Sequence, residues 1–290
     1  MTDIYKLFPN YSRASSPRPS RQTLIELIDK IQKLDLATCQ IPYIRNLIDK
    51  LTDSYTLREL TINPNTYLFR GIIYSDKPSS SSQLSYPPED KAKINRASKS
   101  GQQMFYSATD PFVPFYELGA QEGDRLVISR WKVNKKLHLN SVGFTDENFK
   151  RLNSLRNNFV IFHGDDVDIN HPDNILVHKF LTDAFSQFVP KDKLELYRLT
   201  IAIAESLFED RIFDGLAYPT IPMNANADNV ILKPVVVDSG AVSIDRVTYN
   251  EVTNFNLSER SYRVKKLDYA ETFLPNGFIE WTGELKDINS

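Results

Sequence analysis

The sequence contains a single cysteine, Cys39, among its 290 residues, and it has no long run of apolar residues. One thiol cannot form an internal disulfide, which excludes a disulfide-stabilised scaffold, and it cannot supply a cysteine-rich zinc site. A membrane-spanning helix needs about 18 consecutive apolar residues, and no segment approaches that length. Residues 1–13 also lack the basic and apolar regions of a secretory signal peptide. These absences predict a cytoplasmic protein that does not span a membrane.

Neither positive nor negative charge is in large excess. The sequence has 35 Lys and Arg residues and 37 Asp and Glu residues, which gives a formal net charge of −2. Nucleic-acid-binding proteins usually carry a basic excess, so we predict no nucleic-acid partner. The hydrophobic fraction of 41% and the charged fraction of 25% are typical of an ordinary globular protein. A chain of this length predicts one large domain or two small ones.

Several motifs that mark enzyme classes are absent. The chain has no GxGxxG, GxxxxGK[ST] or GxSxG segment, which argues against a Rossmann dehydrogenase, a P-loop NTPase and an α/β-hydrolase respectively. The histidines do not show the HExxH pattern or another zinc spacing. They are His138, His163, His171 and His178. We therefore expect no metal cofactor.

The order of polar, apolar and turn-forming segments predicts an α+β protein. Residues 1–20 are rich in Ser, Pro and Arg and predict a flexible lead-in. Residues 21–62 predict an N-terminal segment of two short antiparallel helices. Residues 63–290 predict the main domain, in which residues 145–211 form a helical segment.

The helices and strands within these segments follow from periodicity and from turn residues. Ser20 is suited to cap the first helix, and Pro42 is suited to the first turn of the second. Residues 75–91 predict a mobile polar loop. Further helices are predicted at 111–120, 145–156, 173–188 and 193–208. Strands are predicted at 66–73, 103–108, 125–133, 229–239, 243–252 and 260–269.

Arg70 is the first residue that points to chemistry, because it lies in the apolar strand segment LFRGII. A lone arginine in such a strand is costly unless it is paired or faces a ligand cavity. One interpretation is a buried structural ion pair with Glu117. The other is a phosphate or pyrophosphate site, because the planar guanidinium makes bidentate bonds to such groups.

A second cluster occupies residues 95–118, with the sequence NRASKSGQQMFYSATDPFVPFYEL. Arg96 precedes a turn that contains Ser and Gly, and Tyr106 lies on the strand that follows. Glu117 lies near the end of a predicted helix among aromatic residues, which does not suit a simple solvated charge. These aromatic residues predict either a core or a surface for stacking a planar heterocycle.

A third cluster occupies residues 213–234, where two prolines shape a turn. Thr220 presents a hydroxyl between the prolines, and Asn229 begins a predicted strand. The alternative is an ordinary proline-stabilised loop without a functional role.

Taken in order, these clusters resemble the RES domain, a family named for its Arg, Glu and Ser residues. The matching segments are LFRGI, the second cluster with the following GDRLVISRWKV, DGLAYPT and NVILKP. They span residues 66–240. The resemblance implies a mixed or antiparallel β core similar to that of ADP-ribosyltransferase toxins, with added N-terminal helices and a helical insertion. It also implies that NAD is the substrate.

The resemblance assigns roles to individual residues. Arg70 and Glu117 match the Arg and the Glu for which the family is named, and Arg96 and Tyr106 match further active-site positions. The Ser of the family would fall in the segment AYPT, where this chain has Thr220. Threonine keeps the hydroxyl but adds a methyl group and stiffens χ1, which puts activity or the choice of acceptor in doubt.

The implied reaction is cleavage of the bond between nicotinamide and ribose. Its oxocarbenium-like transition state can be stabilised by a carboxylate such as that of Glu117. We expect Arg70 and Arg96 to hold the pyrophosphate, Tyr106 to stack on the nicotinamide or ribose, and Thr220 and Asn229 to donate neutral hydrogen bonds. The acceptor would be inorganic phosphate, water or a protein side chain.

The family also implies a toxin that a separate antitoxin-like protein inhibits. The alternatives are a protein ADP-ribosyltransferase on the same fold, a binding module with a degenerate site, and a structural protein with a buried Arg70–Glu117 pair. The N-terminal helices predict either core packing or a surface for homo-oligomers or partners.

Overall fold

The structure is a computed structural model that describes residues 19–53, 55–156, 171–190, 192–209, 212–256 and 261–283. Most of the predicted lead-in, residues 1–18, lies outside these ranges. The described residues form a mixed α+β fold with one large sheet and several helices, which confirms the predicted fold class at this level. Within them, no helix is both long and apolar enough to cross a membrane.

The helices lie mainly in the N-terminal and middle parts of the chain. The α-helices are α1 (Arg21–Gln32), α2 (Ile41–Thr52), α3 (Val113–Leu118), α4 (Asp146–Arg151), α5 (Pro172–Phe185), α6 (Tyr197–Phe208) and α7 (Pro234–Asp238). Short 3₁₀ turns occur at Ser81–Leu84, Glu89–Lys91 and Leu194–Leu196.

The N-terminal helices begin where the sequence predicts and pack against the rest of the chain. The Ser20 side chain accepts a hydrogen bond from the backbone N–H of Thr23, and Pro42 lies in the first turn of α2. Buried residues such as Leu24 of α1 and Ile44 of α2 share one apolar cluster with α5, α6 and the sheet. Isolated helices of this length are marginal in water, so their stability comes from this shared core.

In the described part of the chain, the main sheet contains nine strands in the order β1-β5-β6-β7-β3-β2-β4-β8-β9. All neighbouring pairs are antiparallel except β5 and β6, which are parallel. Two further strands, β10 and β11, form a separate small sheet. The strands are β1 (Glu59–Ile62), β2 (Tyr67–Ile73), β3 (Phe105–Ala108), β4 (Arg125–Val133), β5 (Leu137–Ser141), β6 (Gly215–Pro219), β7 (Asp228–Leu232), β8 (Val242–Asn256), β9 (Ser261–Ala270), β10 (Thr272–Phe273) and β11 (Ile279–Glu280).

The middle of the sheet is discontinuous. Strand β2 pairs with β4 along its whole length, but it pairs with β3 only through Phe69 and Ala108. Beyond that pair the two strands separate. The sheet therefore consists of a five-stranded part that ends at β3 and a four-stranded part that begins at β2.

Helix α3 packs closely on β2 because β2 carries a glycine. A Cβ atom added to Gly71 would lie 2.4 Å from the Cβ of Pro114, well inside van der Waals contact. Only a residue without a side chain lets the first turn of α3 approach the strand this closely. Helix α3 ends at Leu118 and is capped by Gly119, whose φ of 58° lies in the left-handed region that favours glycine. Gly71 thus sets the distance between α3 and β2, and Gly119 sets the direction in which the chain leaves the helix.

Three local predictions were wrong. The strand predicted at 229–239 ends at Leu232, because Pro234 cannot donate to a ladder and instead starts helix α7. The polar loop at 75–91 contains two 3₁₀ turns and a fully buried Leu84. The end of the predicted helical segment 21–62 forms strand β1, which pairs with β5.

Candidate active site

A cavity of about 470 Å³ lies where β2 and β3 separate. Its walls come from these two strands, α3, the turn before β3, the start of α6, and strands β6 and β7. The sequence-predicted residues that line it are Arg70, Arg96, Tyr106, Glu117 and Asn229. The remaining one, Thr220, contacts Glu117 from behind the wall. The structure therefore brings all the predicted site residues to one place.

Arg70 is half-buried and is held by backbone carbonyls rather than by an acid. Its Nε donates to the carbonyl oxygen of Ser85 over 3.1 Å, and its Nη1 donates to that of Tyr106 over 2.9 Å. The guanidinium also lies 5.6 Å from the centre of the Phe105 ring. Burial lowers the pKa of Arg70 to about 10, which leaves it positively charged at neutral pH. Neither bond uses Nη2.

The sequence analysis also allowed a purely structural role for Arg70, as one partner of a buried ion pair with Glu117. In the described part of the chain, no ion pair joins Arg70 to Glu117, although both residues line the same cavity. The predicted buried Arg70–Glu117 pair is therefore wrong.

Glu117 is exposed to the cavity and is held by two neutral donors. Its Oε1 accepts a bond of 2.8 Å from Thr220 Oγ1 and a bond of 2.7 Å from Asn229 Nδ2. Both bonds end on Oε1, so Oε2 keeps its capacity to accept a hydrogen bond from a ligand. Neutral donors fix the direction of the carboxylate without cancelling its charge.

The position of Glu117 follows from the amphipathic character of α3. Phe115 faces the other way and is buried in an apolar cluster with residues of β4 and β8, such as Ile128 and Val252. Phe112 is exposed, and neither it nor Tyr116 lines the cavity. The prediction of a stacking surface from these aromatic residues was therefore wrong, and the core interpretation holds for Phe115.

The two donors to Glu117 come from neighbouring strands. Asn229 lies on β7 directly opposite Tyr218 of β6, and Thr220 is the second residue after Tyr218. The side chain of Thr220 is fully buried. The turn at residues 213–234 is therefore more than a proline-stabilised loop, because it delivers both hydrogen bonds to one carboxylate oxygen.

Arg96 lies against two tyrosine rings. Its guanidinium is 5.4 Å from the centre of the Tyr197 ring and 6.0 Å from that of Tyr218, which are cation–π distances. Its Nη2 donates to the Gln187 carbonyl oxygen over 3.0 Å. Burial raises the pKa values of both tyrosines, so their hydroxyls stay neutral. Arg96 is thus held at the cavity wall by rings and a carbonyl.

Tyr106 connects the two arginines. Its hydroxyl accepts a 3.1 Å bond from the Ala97 N–H and lies 2.9 Å from Ser98 Oγ, in the turn that follows Arg96. Its carbonyl oxygen accepts the bond from Arg70. Burial raises the pKa of Tyr106, so the hydroxyl is neutral. The hydroxyl positions the turn of Arg96, a role that the predicted stacking on a ligand did not include.

Sequence reasoning missed three residues that shape this cavity. Tyr218 lies within the quoted segment AYPT, so attention to the neighbours of Thr220 could have found it. Tyr197 lies at the start of a helix far along the chain, and no sequence pattern connects it to Arg96. Gly71 directly follows Arg70 in LFRGI, but its contact with α3 depends on tertiary structure.

The described residues contain no group of three or more His, Cys, Asp and Glu side chains that could hold a metal ion. A scan against family models gives no match, and a search of the curated proteins returns no significant relative. The character of the site therefore rests on its geometry.

Proposed function

We propose that this protein is an NAD-cleaving enzyme of the RES type, with a fold related to that of ADP-ribosyltransferase toxins. The observation that carries the proposal is the Glu117 carboxylate, which two neutral donors hold at the wall of a cavity that also contains Arg70 and Arg96. A fixed carboxylate beside cationic groups suits a substrate that develops positive charge on one carbon and carries phosphates nearby.

The size and charge of the cavity agree with a dinucleotide. Pockets for small molecules and cofactors usually have volumes of about 300–1,000 Å³, and this cavity has about 470 Å³. Arg70 has two nitrogens held by carbonyls, and its Nη2 is left to bind a phosphate oxygen. The neutral rings of Tyr197 and Tyr218 add flat apolar surface beside Arg96.

The proposed reaction breaks the bond between the anomeric carbon of ribose and the nicotinamide nitrogen. The electron pair of that bond leaves with nicotinamide, which becomes neutral, and positive charge develops on the ribose. Glu117 Oε2 accepts a hydrogen bond from a ribose hydroxyl and stabilises that charge. An oxygen of phosphate or water then bonds to the anomeric carbon, and water releases its extra proton to solvent.

Thr220 supports this assignment despite its difference from the family Ser. Its hydroxyl donates to Glu117, which is a role that serine could also fill, and its methyl group packs in a fully buried position. The added methyl group therefore lies in the wall rather than in the cavity.

The test is to incubate the purified protein with NAD, with and without phosphate, and to measure nicotinamide release. We expect Glu117→Gln, which keeps the size and removes the charge, to lower the rate by about 10²–10³-fold. The matched control is Glu122→Gln, a change of an exposed glutamate outside the cavity. Equal rates for the wild type and Glu117→Gln, or no release by the wild type, would contradict the proposal.

The reaction products identify the acceptor. ADP-ribose phosphate indicates phosphorolysis, and free ADP-ribose indicates hydrolysis.

The exposure of Glu117 at the cavity favours a second candidate function, protein ADP-ribosylation, because a macromolecular acceptor can reach an exposed site. Transfer of labelled ADP-ribose to a protein band would indicate this function. NAD binding by calorimetry without turnover would indicate a degenerate binding module. From the resemblance we further propose that the protein is a toxin with a separate protein inhibitor. A neighbouring open reading frame that encodes such an inhibitor is the first thing to look for.

A further inference from the structure

A second, smaller cavity of about 180 Å³ lies between α4, α5 and the residue before β1. Arg58 and Thr182 contribute buried side chains to it, and the exposed residues Glu147, Arg151 and Lys179 lie on its rim. Among the described residues, the two cavities share no lining residue. The small cavity is therefore a separate place on the protein.

Among the described residues, no carboxylate pairs with the buried guanidinium of Arg58. Only 9% of its surface is exposed, and within the described ranges it forms no ion pair. Its Nε is buried and has no hydrogen-bond partner. Burial lowers the pKa of Arg58, and the neighbouring Tyr55 hydroxyl offsets only part of this effect. Arg58 has a side-chain hydrogen bond with Tyr55, but this neutral hydroxyl does not balance the charge, and a buried charge without a counter-charge is unfavourable.

The backbone fixes Arg58 in this position. Its carbonyl oxygen accepts hydrogen bonds from the backbone N–H of Ser141 over 2.7 Å and from Ser141 Oγ over 3.0 Å. These bonds tie the residue before β1 to β5. They hold the main chain of Arg58 at the edge of the sheet, beside the cavity.

Thr182 provides a second unsatisfied donor at the same cavity. It lies on α5 with 4% of its surface exposed, and its buried Oγ1 has no hydrogen-bond partner in the part of the chain that the structure describes. Nearby Asn148 is already used, because its Nδ2 donates to the Gly143 carbonyl and its Oδ1 accepts from Arg151. The Arg58 Nε–H and the Thr182 hydroxyl can therefore both donate a hydrogen bond to a ligand in this cavity.

The rim of the cavity adds further cations. Arg151 pairs with Asp183, and Lys179 pairs with Glu147. These pairs are largely exposed and cost little to rearrange. Together with Arg58, these residues place three cationic and two anionic side chains around the cavity. The net positive charge of this lining favours a negatively charged ligand.

We propose that this cavity binds a small oxyanion whose oxygens accept hydrogen bonds from Arg58 and Thr182. The chemical class is inorganic phosphate or a short metabolite that carries a phosphate or carboxylate group. The volume is below the range of about 300–1,000 Å³ that is usual for cofactor pockets, so a dinucleotide does not fit. The proposal is independent of NAD cleavage.

The test is thermal unfolding of the full chain in the presence of inorganic phosphate, with chloride at equal ionic strength as the control. We expect phosphate to raise the Tm of the wild type by about 5 °C at a hundredfold excess over Kd. Arg58→Met should abolish the rise. Without phosphate this variant should melt above the wild type, because it removes a buried charge that no carboxylate among the described residues balances.

Matched variants separate the two cavities. Arg151→Gln changes an exposed arginine on the rim and should keep most of the phosphate effect, and Arg70→Met in the large cavity should keep it as well. If Arg58→Met does not fold, Thr182→Val tests the same site, since it keeps the shape and removes the hydroxyl. We expect it to weaken phosphate binding about tenfold.

The same thermal unfolding experiment is repeated with inorganic phosphate, glycerol phosphate and acetate as the added anion. A larger Tm rise with one of them identifies the preferred source of the oxyanion. An equal phosphate effect in the wild type and in Arg58→Met would overturn the proposal, as would a rise that Arg70→Met alone abolishes. No rise with any of the three anions would also overturn it.

Discussion

The two cavities both contain a buried or half-buried arginine, but the fold treats the two side chains differently. Arg70 in the large cavity donates to two carbonyl oxygens, and the carboxylate beside it accepts from two neutral donors. Arg58 in the small cavity has an Nε without a hydrogen-bond partner and no paired carboxylate among the described residues. The polar groups of the large cavity are therefore held in place without a ligand. In the small cavity, the buried charge of Arg58 lowers the stability of the fold until an anion binds.

The strongest test of this contrast replaces each arginine with methionine. Arg70→Met leaves the carbonyls of Ser85 and Tyr106 without their donor, and we expect a loss of about 2–4 kcal/mol in the free energy of unfolding. Arg58→Met should instead leave stability unchanged or raise it. Urea unfolding of both variants measures the two effects.

Activity separates the same pair of variants. Arg70→Met should lower NAD cleavage by more than about 10²-fold, because the cation that holds the phosphates is lost, whereas Arg58→Met should leave the rate unchanged. If both variants lost stability to the same extent, the contrast between the two sites would fail.

A smaller effect is expected from Gly71→Ala, which disturbs the large cavity without touching its polar groups. The new methyl group would push α3 away from β2 and displace Glu117. Displacement of a catalytic group by about 1 Å can cost about 10²-fold in rate, and the overpacking should cost about 1–3 kcal/mol in stability.

Steady-state kinetics on folded Gly71→Ala protein checks this prediction, and Gly71→Val should be more severe. A normal rate for Gly71→Ala would mean that the close approach of α3 to β2 does not position Glu117.

The smallest effect is expected at Thr220. Thr220→Val removes one of the two hydrogen bonds to Glu117 and should lower kcat for NAD cleavage about tenfold, since a hydrogen bond to a charged group contributes about 1.5–3 kcal/mol. Thr220→Ser keeps the hydroxyl and should retain most of the activity. Equal activity of Thr220→Val and Thr220→Ser would show that Asn229 alone holds the carboxylate.

The sequence predicts the large cavity better than the small one for a physical reason. Arg70 is conspicuous because a charge interrupts an apolar strand, and Glu117 because a carboxylate follows aromatic residues. Short segments of the chain carry both signals. The closeness of Arg70, Glu117 and Thr220 then followed from a resemblance of motifs, and the structure brings these residues together.

Arg58 carries no such signal. It lies in the polar stretch TLRELTI, where a charge looks ordinary, and it becomes buried only because β1 pairs with β5 and α5 packs over it. The missed start of α7 has a different cause. Three consecutive valines favour a strand locally, but Pro234 in front of them removes a ladder donor and begins a helix.

The single residue pair between β2 and β3 has a consequence for how the molecule responds to its ligand. Beyond Phe69 and Ala108, the bond from Arg70 to the Tyr106 carbonyl is a further connection across the gap. The guanidinium that we expect to bind phosphate is thus also a bridge between the two parts of the sheet. A phosphate bound to Nη2 would leave the Nη1 bond in place, so the same side chain would hold the ligand and join the two parts of the sheet.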